Sequence, residues 1–124
     1  MTLDLDKVAA TFAADPRVIL ATIFGSARDG TVRDGADVDI AVLLFPEPTP
    51  SEFFAFYQEM AGRLPGIAEL DLVDLNHAGS VLAFEALSGR RLLVRDAGAV
   101  AAFSSLVARQ YEDDMLHAQG MAGS

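Results

Sequence analysis

Gly25-Ser26 and Asp37-Val38-Asp39 are the residues in this chain with the most chemistry in them. The Gly-Ser pair follows the apolar run Val18–Phe24. After ten intervening residues, Asp-Val-Asp opens a second apolar run, Ile40–Phe45. On a strand, carboxylates at i and i+2 project from one face, roughly 6.5–7 Å apart along the backbone. That spacing suits a pair of hard divalent cations about 3.5–4 Å apart with oxygen ligands, as in two-metal phosphoryl chemistry. A small-residue turn just upstream offers backbone N–H groups to a phosphate. Triphosphate plus magnesium is the natural ligand.

Asp-x-Asp alone is equally well explained as an ordinary strand entrance, so a third carboxylate matters. In Glu69–Leu75 the apolar side is Leu70 and Leu72, leaving Glu69, Asp71 and Val73 facing the other way. If that strand pairs beside the first, about 4.8 Å away, Asp71 joins the face of Asp37 and Asp39. Asp74 fits a turn aspartate before Asn76 better, and Glu69 a solvated strand entrance. Ser26 could cap a short helical turn, a geometry that an anion site shares. No G-K-[ST], G-x-S-x-G or G-x-G-x-x-G frame is present. Arg28 and Arg33 could reach a triphosphate, but solvated loop arginines are commoner. Neither His77 nor His117 has metal-ligand spacing.

The elements that hold these residues follow from periodicity. Leu5, Val8, Ala9 and Phe12 have helical spacing, and Asp15-Pro16 ends that helix. Val18–Phe24 and Asp37–Leu44 read as strands. In the second, Val38, Ile40, Val42 and Leu44 form the core side, so the aspartates look out into a cleft or solvent. After a proline-punctuated loop, Ser51 is expected to cap a helix carrying Phe53, Phe56, Tyr57, Met60 and Leu64 as a packing stripe, stopped by Pro65-Gly66. A strand at Glu69–Leu75, a helix at Ser80–Ser88 and a short strand at Arg91–Val94 follow. Asp96 caps a last helix from Ala97 to about Leu116, with Val100, Phe103, Val107 and Tyr111 inward. Glu112-Asp113-Asp114 reads as a solvated face. The first two strands are too close for a crossover helix, which predicts an α+β fold: a small mixed sheet flanked by helices.

The 124 residues imply one domain, 1–124, with a flexible tail from about 117. Hydrophobic residues make up 52%, yet no apolar run approaches the ~20 residues of a membrane span. The absence of cysteine and of a basic leader points to the cytoplasm. Nine Lys+Arg against 18 Asp+Glu give a net charge of −9, which disfavours direct nucleic-acid binding and suits a partner with a basic face. Acidity that merely keeps an apolar chain soluble explains it about as well.

Gly-Ser, ten residues, then Asp-x-Asp resembles the minimal nucleotidyltransferase (MNT) domain of the DNA polymerase β superfamily. LDLVDLN (Leu70–Asn76) and FEALSGRRLLVRD (Phe84–Asp96) are similar to the same subfamily. The resemblance implies a polymerase β-like fold, phosphate binding at Gly25 and Ser26, and magnesium ligands at Asp37, Asp39 and Asp71, which are also the catalytic residues. One departure stands out: Asp29 occupies a position that is basic in many relatives, which weakens the case for Arg28. Single-domain chains of this type resemble the antitoxins of HEPN/MNT toxin–antitoxin systems. The resemblance implies AMP transfer from ATP to a tyrosine of a HEPN ribonuclease toxin. The rival expectations are a nucleotidyltransferase for a small hydroxyl substrate such as an aminoglycoside, and a non-catalytic antitoxin that works by binding alone.

Overall fold

The computed structural model describes residues 2–33, 36–64, 66–67 and 69–123. Its elements are α1 (Leu5–Ala13), β1 (Val18–Phe24), a 3-10 turn (Gly25–Ala27), β2 (Val38–Leu44), α2 (Pro50–Arg63), β3 (Leu70–Asp74), α3 (Ser80–Leu87), β4 (Arg90–Val94) and α4 (Ala97–Gly123). The sheet order is β3-β2-β1-β4. β1 runs antiparallel to β2 and β4, while β2 and β3 are parallel, so the sheet is mixed as expected.

Both faces of the sheet are buried, which corrects the expectation of one core side. Val38, Ile40, Val42 and Leu44 pack with Val8, Phe12, Phe56 and Met60 of α1 and α2. The opposite face carries a second core, where Ala41, Leu43 and Leu20 meet Ala83 and Ala86 of α3 and Val100 and Val107 of α4. Each fully buried Leu, Ile, Val or Phe contributes about 1.5–3 kcal/mol. The face that bears the aspartates is therefore open only at its end, where α3 and α4 border the opening.

Helix starts follow local chemistry. Asp4 caps α1 by accepting the Lys7 N–H at 3.2 Å. Thr49, not Ser51, caps α2: its side chain accepts from Glu52 N, and Glu52 reaches back to the Thr49 N–H. Pro50, whose fixed φ and missing donor suit a first helical position, moves the start ahead of Ser51. The expected stop at Pro65 lies outside the described residues. Asp96 accepts the Ala99 N–H at 3.0 Å at the start of α4, which runs to Gly123, past the expected end near Leu116. No described helix is long and apolar enough to cross a membrane.

Two polar devices lock the sheet ends. Asn76 bonds both Leu44 N and Leu44 O at 2.9 Å, imitating a strand residue beyond β3. The Arg95 guanidinium donates to Val18 O, Ala13 O and Asp15 O, tying the α1–β1 turn to the end of β4.

Candidate active site

One end of the sheet gathers residues that lie far apart in sequence. Across it, Asp71 of β3 is in register with Asp39 of β2. Asp39 faces Phe24 of β1, and the neighbouring Ile23 faces Arg90 of β4. Gly25 and Ser26, both exposed, leave β1 there.

Asp39 and Asp71 share a face because same-register residues on parallel neighbours project alike. Asp37 is exposed in the lead-in to β2, one residue before the strand begins. Burial of Asp39, then the nearby Asp71 and the charges of Asp37 and Glu85, raise its carboxyl above the usual range. A carboxylate desolvated among like charges is held at a cost that a divalent cation would relieve. Among the described residues, no three acidic or histidine side chains are gathered closely enough to enclose an ion.

Gly25 is where the turn meets the acids. Its φ of +72° favours glycine, and a Cβ there would lie 2.4 Å from Asp39 Oδ2. Only a residue without a side chain lets the Asp39 carboxylate lie against this backbone. The turn itself is three residues of 3-10 helix with no side-chain cap, so Ser26 does not act as a helix N-cap.

Two open clefts meet at Gly25 and Arg28. The first, about 490 Å³, is lined by Phe24 and Gly25, by Val81, Phe84 and Glu85 of α3, by Ser88 and Gly89, and by Tyr111 of α4. Phe84 and Tyr111 stack with ring centroids 4.3 Å and planes 13° apart. Tyr111, expected inside the core, is half-buried in a cleft wall. The second, about 560 Å³, is lined by Gly25, Ser26, Arg28, Asp29 and Arg90. Arg28, read from sequence as a solvated loop residue, thus borders both.

Sequence reasoning missed Glu85, Arg90 and the cleft-facing role of Phe84 and Tyr111. A pair of arginines, Arg90-Arg91, opening a strand of an acidic chain was the available signal. Other acidic candidates stand apart. Asp74 accepts the Asn76 N–H at 2.9 Å, as its turn reading predicts, and its second oxygen meets His77 Nδ1 at 2.7 Å. His77 Nε2 in turn lies 3.0 Å from Glu47. Glu69 is exposed, and Arg33 is exposed in the loop before β2.

A family model described as polymerase beta, nucleotidyltransferase matches residues 6–97. Among solved structures, a chain of a toxin–antitoxin crystallised with AMP-PNP matches with a TM-score of 0.79 at 24% identity, covering 98% of this chain and 97% of that one. A toxin–antitoxin MntA-HpeT mutant, with two aspartate-to-glutamate changes two positions apart, matches at 0.80 and 24%, with the same coverages. A tri-AMPylated Shewanella oneidensis HEPN toxin in complex with MNT antitoxin matches at 0.72 and 22%, covering 96% and 92%. At these identities the likeness is one of fold. No curated protein matches the chain.

Proposed function

The chain belongs to the polymerase beta nucleotidyltransferase family, and on that footing we propose that it is a cytoplasmic antitoxin that transfers AMP from ATP to a tyrosine hydroxyl of a HEPN ribonuclease partner. The observation that carries this is the Asp39–Asp71 register pair, set against Gly25 at an open sheet end. The fold neighbours that are toxin–antitoxin complexes, one with AMP-PNP and one with an AMPylated toxin, support it. Two substituted aspartates in a third neighbour have the i, i+2 spacing of Asp37 and Asp39.

The donor set fits a hard divalent cation: all oxygen and anionic, with the Asp39 carboxyl raised above the usual range first by burial and then by its acidic neighbours. Asp37, Asp39 and Asp71 would hold magnesium, which when bound neutralises phosphate charge and acidifies the acceptor hydroxyl. Gly25 and Ser26 offer backbone N–H groups to the phosphates. The acceptor oxygen attacks the α-phosphorus; a P–O bond forms as the P–O bond to pyrophosphate breaks. The hydroxyl proton passes to the Asp71 carboxylate, which is exposed to an incoming acceptor. Positioning and charge compensation supply the rate, with no covalent enzyme intermediate.

Co-expression with a HEPN ribonuclease partner, followed by intact mass of that partner, tests this. Whole AMP additions that vanish with Asp39→Asn support the assignment. A partner that is neutralised yet unmodified by the native chain overturns it and favours neutralisation by binding alone.

A further inference from the structure

Tyr57 and Tyr111 are the chain's two tyrosines, and the fold treats them differently. Tyr57 packs against the core of α1 and α2 and donates its hydroxyl to Leu70 O. Tyr111 lies one helical turn beyond the buried Val107 of α4, where the inward stripe of that helix runs out at the open sheet end. Its half-buried ring is held flat on Phe84, 4.3 Å away, and among the described residues its hydroxyl has no hydrogen-bonding partner. Ser88, the other hydroxyl of this cleft, donates to Phe84 O at 2.9 Å. Two contacts connect the cleft with the acid pair. Gly25 lines it with the Asp39 carboxylate against its backbone, and Glu85 lines it with a charge that acts on Asp39. A volume of about 490 Å³ is within the range of small-molecule sites. A free phenol thus stands in a nucleotide-sized cleft beside the groups proposed to transfer AMP to a phenol.

Resting on the AMP transfer proposed above, we propose that Tyr111 is an internal acceptor: without a partner, the chain transfers AMP to its own Tyr111 in cis. The phenol oxygen attacks the α-phosphorus of ATP; a P–O bond to Tyr111 forms as the P–O bond to pyrophosphate breaks, and the phenol proton passes to the Asp71 carboxylate. Attacking and leaving oxygens must lie roughly in line. Two clefts that meet at Gly25 allow this, since phosphates on Gly25 and Ser26 extend into the second, which Tyr111 does not line. An acceptor on the enzyme itself needs no encounter, so its effective concentration is high. The ester keeps its nucleotide in the cleft and bars a second ATP. A partner hydroxyl competes for the same α-phosphorus, so the mark accumulates only on idle enzyme.

The direct test is intact mass and peptide mapping of the native chain after incubation alone with ATP and magnesium. The expected result is a gain of one AMP unit on Tyr111, at a rate per molecule that does not change on dilution. Tyr111→Phe keeps the ring on Phe84 and should melt as the native chain does, yet gain nothing; Asp39→Asn should also gain nothing. Native chain pre-incubated with ATP should modify its partner more slowly than untreated chain, whereas pre-incubation should not slow Tyr111→Phe. A native chain that modifies its partner but never itself, or carries AMP on another residue instead, overturns the internal acceptor and leaves the AMP-transfer assignment intact. Self-modification at Tyr111 by a chain that modifies no partner sinks the partner assignment and keeps the internal acceptor. A rate per molecule that rises with protein concentration shows transfer between copies and overturns transfer in cis.

Discussion

Asp39 and Asp71 are direct register partners on two parallel strands, β2 and β3, and their carboxylates share one face at the open end of the sheet. Helices α3 and α4 cover the rest of that face, over Ala41 and Leu43. The pair is thus rigidly supported from behind and unshielded in front.

Removing charge from this pair should separate activity from stability. Burial and then Asp71 raise the native pKa of Asp39, so above the unfolded carboxyl value its ionisation opposes folding. Asp39→Asn is expected to melt at or above the native temperature while AMP transfer falls about a hundredfold or more. Thermal melts and transfer assays on the same preparation check both; a lower melting temperature contradicts the electrostatic account.

Gly25→Ala should damage the site more than the fold. The left-handed φ costs about 1 kcal/mol for alanine, and the new Cβ must displace the Asp39 carboxylate, a movable group. We expect a fall of a few degrees in melting temperature and a loss of transfer well beyond what unfolding explains. Urea unfolding beside transfer kinetics measures the two effects.

Gly89→Ala should do the reverse. A Cβ there meets Ile23 O at 2.5 Å and Phe24 Cβ at 2.8 Å, both held by central strand β1. Overpacking of this kind costs about 1–3 kcal/mol. Gly62→Ala, at an exposed position of α2 with nothing within 4 Å, should instead stabilise by about 0.5–1 kcal/mol. Urea midpoints with an unchanged m-value would confirm both signs.

Acid stability should depend on Asp15. It is buried, and its oxygens accept from Arg17 Nε at 3.0 Å and Nη2 at 2.7 Å. The Arg17 hydrogen bond, outweighing the cost of burial, holds its carboxyl below the usual range. A depressed native pKa stabilises fully above the unfolded value and is lost as pH falls through the native one. Arg17 is partly exposed, so the loss in Asp15→Asn at neutral pH should be about 1 kcal/mol. The variant should also lose less stability than the native chain between neutral pH and strong acid, seen in urea titrations across that range.

Period-two alternation was enough to place Asp39 and Asp71 on one face of the sheet. Leu70 and Leu72 against Asp71 and Val73 fixed the face of β3, and the structure keeps that division, with Leu72 in one core and Val73 against the other. The same alternation failed to reveal the second core. Ala41 and Leu43 are apolar but share their face with two aspartates, and nothing local states that α3 and α4 will cover them. The start of α2 was misplaced by two residues because Ser51 and Thr49 are both competent caps, and Pro50 between them decides.

The sequence by itself determined the order of helices and strands and the spacing of the acidic residues, since those depend on residues within one segment. Tertiary structure alone decided that β2 and β3 run parallel in the register joining Asp39 to Asp71, and that β4 lies on the far side of β1 with Arg90 near Gly25. Strand order is set by how two helical layers bury both faces of the sheet at once. That is a global packing condition, and no short stretch of residues encodes it.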